Sequence, residues 1–170
     1  MTRIFGAALG LTLAAMFAGC AVGQPRGYVD ATAWSANYTE EYIHEFHILT
    51  ASGTDTGLEG IQVKEFSKGG AGGHECCSLI PGVGQTIKVV WKIGAYNDKE
   101  PQWKTYSKDV KVTGLTSNDP EWFNFVIVRF FPNHEVEAEF VSESSKFDGE
   151  PSPRVDQVFY GRRVMRQKGE

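Results

Sequence analysis

The sequence predicts an all-β protein with one domain, an antiparallel sandwich or partly open barrel of about seven strands. Segments rich in β-branched and aromatic residues recur along the chain, and polar or glycine-rich stretches separate them. We find no internal repeat and no convincing amphipathic helix in the sequence. The chain has 170 residues, of which 41% are hydrophobic and 22% charged, so it can bury one core without disulfides or metals.

Residues 1–19 have the composition of a lipoprotein signal peptide. Arg3 provides a short charged start, an apolar run covers residues 4–17, and the segment is too short for a membrane-spanning helix. Residues 17–20 run Phe-Ala-Gly-Cys and resemble a bacterial lipobox, in which the cysteine is acylated and becomes the new N-terminus. Cys20 is therefore the predicted lipidation site, and the open alternative is an ordinary cleaved signal with an incidental cysteine.

The predicted tether covers residues 20–27, where small residues, polar residues, proline and glycine follow the acylated cysteine. Ala21 rather than an aspartate follows Cys20, which favours the outer membrane over the inner one. We expect the protein in the bacterial cell envelope, lipid-anchored and facing the periplasm. Residues 28–160 form the predicted β-domain, and residues 161–170 form a basic tail.

The balance of charge argues against one class of partner. Arg3 leaves with the leader, so 16 of the 17 basic side chains remain against 21 acidic ones, a net charge of −5. Nucleic acid is therefore not an expected partner. The tail differs from the rest of the chain because it carries Arg162, Arg163, Arg166 and Lys168. We interpret it as a solvated tail, with anionic lipid head groups or an acidic protein as open alternatives.

Two strands are predicted before the chain becomes rich in glycine. The first covers residues 28–36, and the turn-prone Asn37 ends it. The second covers residues 42–49. Its alternation assigns one face to Tyr42, His44, Phe46 and Ile48 and the other to Ile43, Glu45, His47 and Leu49. At strand spacing the two histidines point to opposite faces, so the sequence predicts no metal site between them.

Three further segments follow in the middle of the chain. Residues 50–60 are polar and glycine-rich and are predicted as a loop, and residues 61–66 as a short strand. The clearest strand signal lies at residues 86–93, where the alternation is typical of a half-buried antiparallel strand. A loop at residues 94–102 leads to a strand at 103–113, and we expect these two strands to pair as a hairpin.

The last part of the predicted domain is also built from strands. Residues 122–131 are almost continuously apolar, as expected for a strand buried on both faces, and a turn leads to a strand at 135–141. Three apolar residues of that strand are expected inside and three glutamates outside: Val136, Ala138 and Phe140 against Glu135, Glu137 and Glu139. We interpret the glutamates as a solvated edge rather than a metal site. A final strand is predicted at 155–160.

One stretch, residues 69–81, is not explained by strand formation alone. Four glycines within its first five positions give the backbone conformations that other residues avoid, and Cys76 and Cys77 follow. Three interpretations of the cysteines are open. The one we favour is structural, with the side chains on opposite faces of a strand start and at least one of them buried. The others are a disulfide between neighbours, which an oxidising periplasm permits, and a soft-metal site with His74.

Catalytic signatures are missing from the sequence. It has no Gly-x-Ser-x-Gly nucleophile elbow, and the glycine stretch lacks the Lys and Ser/Thr of a phosphate-binding loop. A dinucleotide site would need a βαβ unit, which the predicted strands do not provide. We therefore expect no enzyme activity and no cofactor.

Several motifs together resemble a family of bacterial lipoproteins of unknown function. Ala-Asn-Tyr-Thr at 36–39 is followed by Tyr-Ile-His-Glu-Phe at 42–46, Gly-Gly-His-Glu-Cys-Cys at 72–77 precedes a proline, and Val-Val-Trp follows at 89–91. The family hallmark is a Gly-Gly-x-x-Cys-Cys segment followed by a proline and a strand containing Trp. The resemblance covers residues 28–141. It marks a motif loop, structural or partner-binding, of Gly72, Gly73, His74, Cys76, Cys77 and Pro81.

Members of that family are often encoded beside phospholipase effectors of type VI secretion and are regarded as immunity lipoproteins that protect the producer. The resemblance implies that this chain binds and neutralises such a phospholipase in the periplasm. Anchoring suits that task because it concentrates the inhibitor at the membrane that the toxin attacks. The alternatives are an envelope lipoprotein that handles thiols or metal through His74, Cys76 and Cys77, and a structural envelope lipoprotein.

Overall fold

The computed structural model describes residues 27–144. The predictions for the signal peptide, Cys20, most of the tether, the strand at 155–160 and the basic tail concern residues outside this range. The predicted fold class is confirmed, because the described chain is an all-β sandwich of two five-stranded sheets. Within residues 27–144 there is no helix long and apolar enough to span a bilayer.

Ten strands build the two sheets. In chain order they are β1 (Tyr28–Asn37), β2 (Tyr42–Thr50), β3 (Asp55–Val63), β4 (Gly73–His74), β5 (Ser78–Pro81), β6 (Thr86–Gly94), β7 (Lys104–Lys111), β8 (Thr113–Gly114), β9 (Trp122–Phe131) and β10 (Glu135–Ser144). The first sheet has the order β5-β1-β9-β10-β8 and the second the order β4-β3-β2-β6-β7. Neighbours are antiparallel except for β1 with β9 and β10 with β8, which are parallel.

The main hydrophobic core lies between the sheets. Alternate residues of β9 and β10 face alternate residues of β2 and β6, as expected for half-buried strands. The ring of Phe130 from the first sheet lies 5.5 Å from the ring of Phe46 and 5.7 Å from that of Trp91 in the second. Burying one such side chain stabilises the fold by about 1.5–3 kcal/mol.

The long strands with clear patterns were predicted well. β1, β2, β6 and β9 each lie within one residue of the predicted bounds. β6 and β7 form the predicted hairpin, with Cα partners from Thr86 and Lys111 to Ile93 and Lys104. The second half of β9 is buried on both faces, whereas its first two residues are exposed.

The prediction around β3 is wrong. The strand covers Asp55–Val63, so it begins inside the predicted loop at 50–60 and includes only the first three residues of the strand expected at 61–66. Leu58 and Val63 are fully buried, but left-handed residues at Gly57 and Gln62 break the alternation that would reveal them. The three shortest strands, β4, β5 and β8, were also missed, since two to four residues carry too little pattern.

A β-bulge in β2 corrects the predicted assignment of faces. The register with β6 shifts between Ile43 and Glu45, so His44 is the extra residue. Ile43 therefore lies in the core with Phe46, rather than on the opposite face. His44 instead stacks on Trp103, with the ring centroids 3.9 Å apart.

The prediction that three glutamates of β10 face water is wrong for Glu139. Its side chain is only 13% exposed, and its Oε2 lies 2.7 Å from Nη1 of Arg129, whose side chain is 2% exposed. Glu135 forms an ion pair with Lys108 of β7. β10 is also not a bare edge, because β8 pairs with it at Glu139 and Phe140.

Candidate functional site

The glycine-rich segment after β3 carries the chain from one sheet to the other. β4 pairs with β3 in the second sheet, and β5, only four residues later, pairs with β1 in the first. Residues 75–77 therefore cross the open edge of the sandwich. The cysteine pair lies within this crossing, and the backbone oxygen of Glu75 accepts a hydrogen bond from the amide of Ala33 at 3.0 Å.

Glycines allow the segment to lie against its neighbours. A Cβ added to Gly72 would lie 2.6 Å from Cα of Val63 and 2.7 Å from the carbonyl oxygen of Ile61. Gly70 has a φ of +66°, and its oxygen accepts a 2.7 Å hydrogen bond from the amide of Asn37. The glycines are therefore required by close packing and by one left-handed turn.

The structure joins Cys76 and Cys77 in a disulfide, with a cis peptide bond between them. Both residues are exposed, so our favoured interpretation, in which at least one is buried as a small hydrophobe, is wrong. Of the three interpretations, the structure contains the disulfide between neighbours. Sγ of Cys77 lies 3.5 Å from Oγ1 of Thr32, which places the disulfide beside β1.

A groove of about 350 Å³ opens next to the disulfide. Its walls are the first half of β1, Cys77, the loop at 117–120 and the start of β9. Parallel pairing of β1 with β9 begins only at Thr32 and Phe125, so the two strands are unpaired with each other before that point. The groove is the space between them.

Several exposed apolar side chains lie at this end of the sandwich, and we call three of them the apolar rim. They are Leu115, Trp122 and Phe123, with exposed fractions of 79%, 42% and 58%. Trp122 and Phe123 line the groove directly. Side-chain hydrogen bonds hold the adjoining loop, because Asn124 and Ser142 both bond to the amide of Ser117, at 2.9 and 3.0 Å.

A family model described as "Protein of unknown function (DUF3304)" matches residues 36–138. The chain belongs to this family. No curated protein and no solved structure matches the chain.

The DUF3304 match includes the sheet crossing but omits most of β1. It begins one residue before the end of β1 and stops six residues before the end of β10. The motif loop lies wholly inside the match. Of the groove, Cys77, the loop at 117–120 and the start of β9 lie inside it, whereas the wall formed by residues 28–32 lies outside.

The predicted motif residues lie in and around the crossing, but they contact different strands and do not form one site. Gly72 packs on β3, Gly73 and His74 form β4, and Pro81 pairs with Tyr28 at the far end of β5. No group of three His, Cys, Asp or Glu side chains able to hold a metal ion is found in the described part of the chain.

The apolar rim was missed by sequence reasoning. The run at 122–131 appeared as a continuous apolar strand, and nothing in it separates its exposed start from its buried end. One signal was available in the polar, proline-containing stretch just before Trp122. Such a stretch is typical of a surface loop, so the strand that follows it begins at the surface of the domain.

A second cleft, of about 610 Å³, lies at the opposite end of the sandwich. Glu65, Tyr42 and Tyr96 are among its lining residues. Burial raises the pKa of Tyr42, and the nearby phenol of Tyr96 adds to this effect. A hydrogen bond from Lys68 lowers the pKa of Glu65, so this carboxylate stays ionised at neutral pH.

Proposed function

We propose that this chain is a lipid-anchored envelope protein that binds and neutralises a phospholipase effector of type VI secretion. The resemblance carried by the Gly-Gly-x-x-Cys-Cys segment supports the partner class. The DUF3304 family has no stated function, so the membership neither adds to this proposal nor opposes it.

The observation that carries the proposal is the position of the apolar rim. Tyr28, where the domain begins, lines the same groove as Trp122 and Phe123. Cys20 precedes Gly27 by seven residues, a tether of at most about 25 Å when extended. With an acylated Cys20, groove and rim stand close to the membrane surface, where a phospholipase has to act.

The chemistry of the rim suits a protein partner. Large exposed side chains such as Trp and Phe are common anchors of protein interfaces, because they desolvate a large apolar area on binding. The groove beside them has room for one or a few side chains of the partner. Blocking the enzyme's approach to lipid needs contact alone and no catalytic group on this chain.

The test is inhibition of a phospholipase effector of type VI secretion. The full chain, purified in neutral detergent, is added to the enzyme on phospholipid vesicles, and fatty acid release is measured. We expect stoichiometric inhibition, and a Trp122→Ala/Phe123→Ala variant should bind at least about tenfold more weakly, a loss of about 1.4 kcal/mol or more.

Tyr96→Ala provides the matched control, since Tyr96 is an exposed aromatic residue at the opposite end of the sandwich. This variant should inhibit like the wild type. Full activity of the enzyme in the presence of excess wild-type chain would refute the function. Equal inhibition by the wild type and both variants would support the function but show that the apolar rim does not contribute to binding.

Exposure of the Cys76–Cys77 disulfide favours a second candidate, thiol–disulfide exchange in the envelope. An exposed disulfide can be attacked by an incoming thiolate, whereas a buried one cannot. A Cys76→Ser/Cys77→Ser variant separates the two functions. It should retain inhibition if the disulfide only supports the crossing, and it should lose any reaction with a small-molecule thiol.

A further inference from the structure

One border of the groove is the edge of β1 that faces β9. The amide of Ala33 donates a 3.0 Å hydrogen bond to the oxygen of Glu75, on the side of β1 where β5 pairs. Backbone N–H and C=O groups of successive residues alternate between the two sides of a strand. The backbone groups of Tyr28 and Asp30 therefore point to the other side, toward β9 and the groove.

The opposite border is the edge of β9 that faces β1. The oxygen of Phe130 accepts a 2.8 Å hydrogen bond from the amide of Tyr38, which directly follows β1. By the same alternation, the even-numbered residues of β9 turn their backbone groups toward β1, and Asn124 is one of them. In the described part of the chain, pairing of the two strands begins only at Thr32 and Phe125. Backbone groups without a ladder partner in that part of the chain thus border the groove on both sides.

Two strand edges that face each other fit an additional extended segment. A strand edge binds a segment of another chain through main-chain hydrogen bonds, and nearby side chains add specificity. β5 and β10 already occupy the other edges of β1 and β9. A segment inserted into the groove bonds on both sides, and the volume of about 350 Å³ accommodates a few residues.

The side chains on the outer face of the groove define which segment fits. Ala31 and Val126 belong to the core, so Asp30 and Phe123 point to the outer face. Counting back two residues from the first parallel pair places Asp30 opposite Phe123 across the groove. Both side chains are exposed. An outward side chain of the inserted segment therefore lies between a carboxylate and an aromatic ring.

The charge of the groove selects a basic side chain at that position. Among the described residues that line the groove, the charged ones are Asp30 and Asp119, and both are acidic. One oxygen of Asp119 accepts a 2.9 Å hydrogen bond from the amide of Glu121, which holds this carboxylate beside the groove. An arginine stacks its planar guanidinium on an aromatic ring and donates to a carboxylate. A segment with arginine therefore complements the groove in both charge and shape.

We propose that the groove between β1 and β9 binds an extended segment of a partner protein as an inserted strand. An outward arginine of that segment lies between Asp30 and Phe123. The inference shares the groove with the proposed function, but it does not require that the partner be a phospholipase. Its test uses no enzyme, so either proposal can fail alone.

The experiment adds a short peptide to the isotope-labelled full chain in neutral detergent and follows backbone amides by NMR. The probe is acetyl-Ser-Val-Arg-Val-Ser-amide, and we expect chemical-shift changes around the groove that saturate with peptide. At ten times the dissociation constant, hydrogen exchange at Tyr28, Asp30 and Asn124 should slow about tenfold, because about one tenth of the grooves remain free. The amide of Val29, which faces β5, should exchange at an unchanged rate.

Two matched peptides separate main-chain pairing from side-chain contact. N-methylation of both valines removes two amide donors and keeps the arginine, so this peptide should bind at least about tenfold more weakly. Glutamate in place of arginine should also weaken binding about tenfold, because it places a second carboxylate beside Asp30.

A charge reversal tests the position of the arginine. Asp30→Lys should weaken binding of the arginine peptide at least about tenfold and strengthen binding of the glutamate peptide. A loss of folding cannot exchange the preference in this way. Asp109→Lys is the control, with the same change at an exposed aspartate of β7 in the second sheet, and should bind both peptides like the wild type.

Four results would overturn the inference. Slow exchange at Tyr28, Asp30 and Asn124 without peptide would mean that the chain itself or a second copy already pairs in the groove. Unchanged spectra at millimolar concentrations of the arginine peptide would mean that no such segment binds. Equal binding of the N-methylated peptide would exclude main-chain pairing. Shift changes confined to another strand edge would place the peptide outside the groove.

Discussion

At the residue scale, Asn37 shows how one polar side chain joins separate parts of the fold. It is 1% exposed, and its Nδ2 donates to the backbone oxygens of Glu41 at 2.8 Å and Lys64 at 3.1 Å. Its Oδ1 accepts from the amide and the hydroxyl of Thr39, at 3.0 and 2.8 Å. These bonds connect the end of β1, the turn that follows and the segment leaving β3.

Replacing Asn37 with alanine should destabilise the protein by about 2–4 kcal/mol, because the backbone carbonyls of Glu41 and Lys64 lose their donor and Thr39 loses its acceptor. Urea unfolding followed by tryptophan fluorescence measures the change. Asn97→Ala, at an exposed position, is the control and should lie within about 0.5 kcal/mol of the wild type. A loss below about 1 kcal/mol for Asn37→Ala would mean that water replaces the side chain.

The sequence predicted only part of this residue's role. Asn is turn-prone, so the end of β1 was placed correctly. Its partner Lys64 is 27 positions away, and local propensity carries no information about a contact at that separation. The same limit applies to the disulfide, because exposure of Cys76 and Cys77 depends on where the crossing lies.

At the element scale, the crossing from β4 to β5 depends on glycines that differ in their surroundings. A Cβ on Gly72 would collide with the backbone of β3, at 2.6 Å from Cα of Val63. A Cβ on Gly73 would meet only Cγ1 and the oxygen of Ile61, at 3.3 and 3.4 Å. Two neighbouring glycines therefore serve different purposes.

Gly72→Ala should destabilise the protein by about 2–3 kcal/mol, since the backbone of β3 or that of the crossing must move to admit the methyl group. Gly73→Ala, the adjacent control, should cost less than about 1 kcal/mol, because the nearby side chain can shift. Thermal unfolding by circular dichroism compares the two. Similar melting temperatures for both variants would contradict the packing described for Gly72.

At the scale of the whole molecule, β1 holds the first sheet together. Its first half pairs with β5 and its second half with β9, and Ala31 and Ala33 belong to the core. The DUF3304 match begins at residue 36 and so leaves out most of this strand. The matched region is therefore smaller than the folding unit.

A chain that starts at residue 36 should lose cooperative unfolding, because β5 loses its partner and β9 loses its parallel neighbour. A chain that starts at residue 27 is the control and should unfold in one sharp transition. Near-ultraviolet circular dichroism during heating measures both. A sharp transition with native-like aromatic signals in the shorter chain would show that β1 is dispensable.

The sequence by itself determined the all-β class and the long regular strands, because an alternating or continuously apolar pattern over eight or more residues indicates a strand directly. β6 and β9 lie where the pattern placed them. Tertiary structure alone decided the sheet order, the extent of β3, the bulge at His44, the burial of Glu139 and the groove beside the disulfide. Each of these depends on contacts between distant segments, and in β3 and β2 left-handed residues or a bulge also disturb the local pattern.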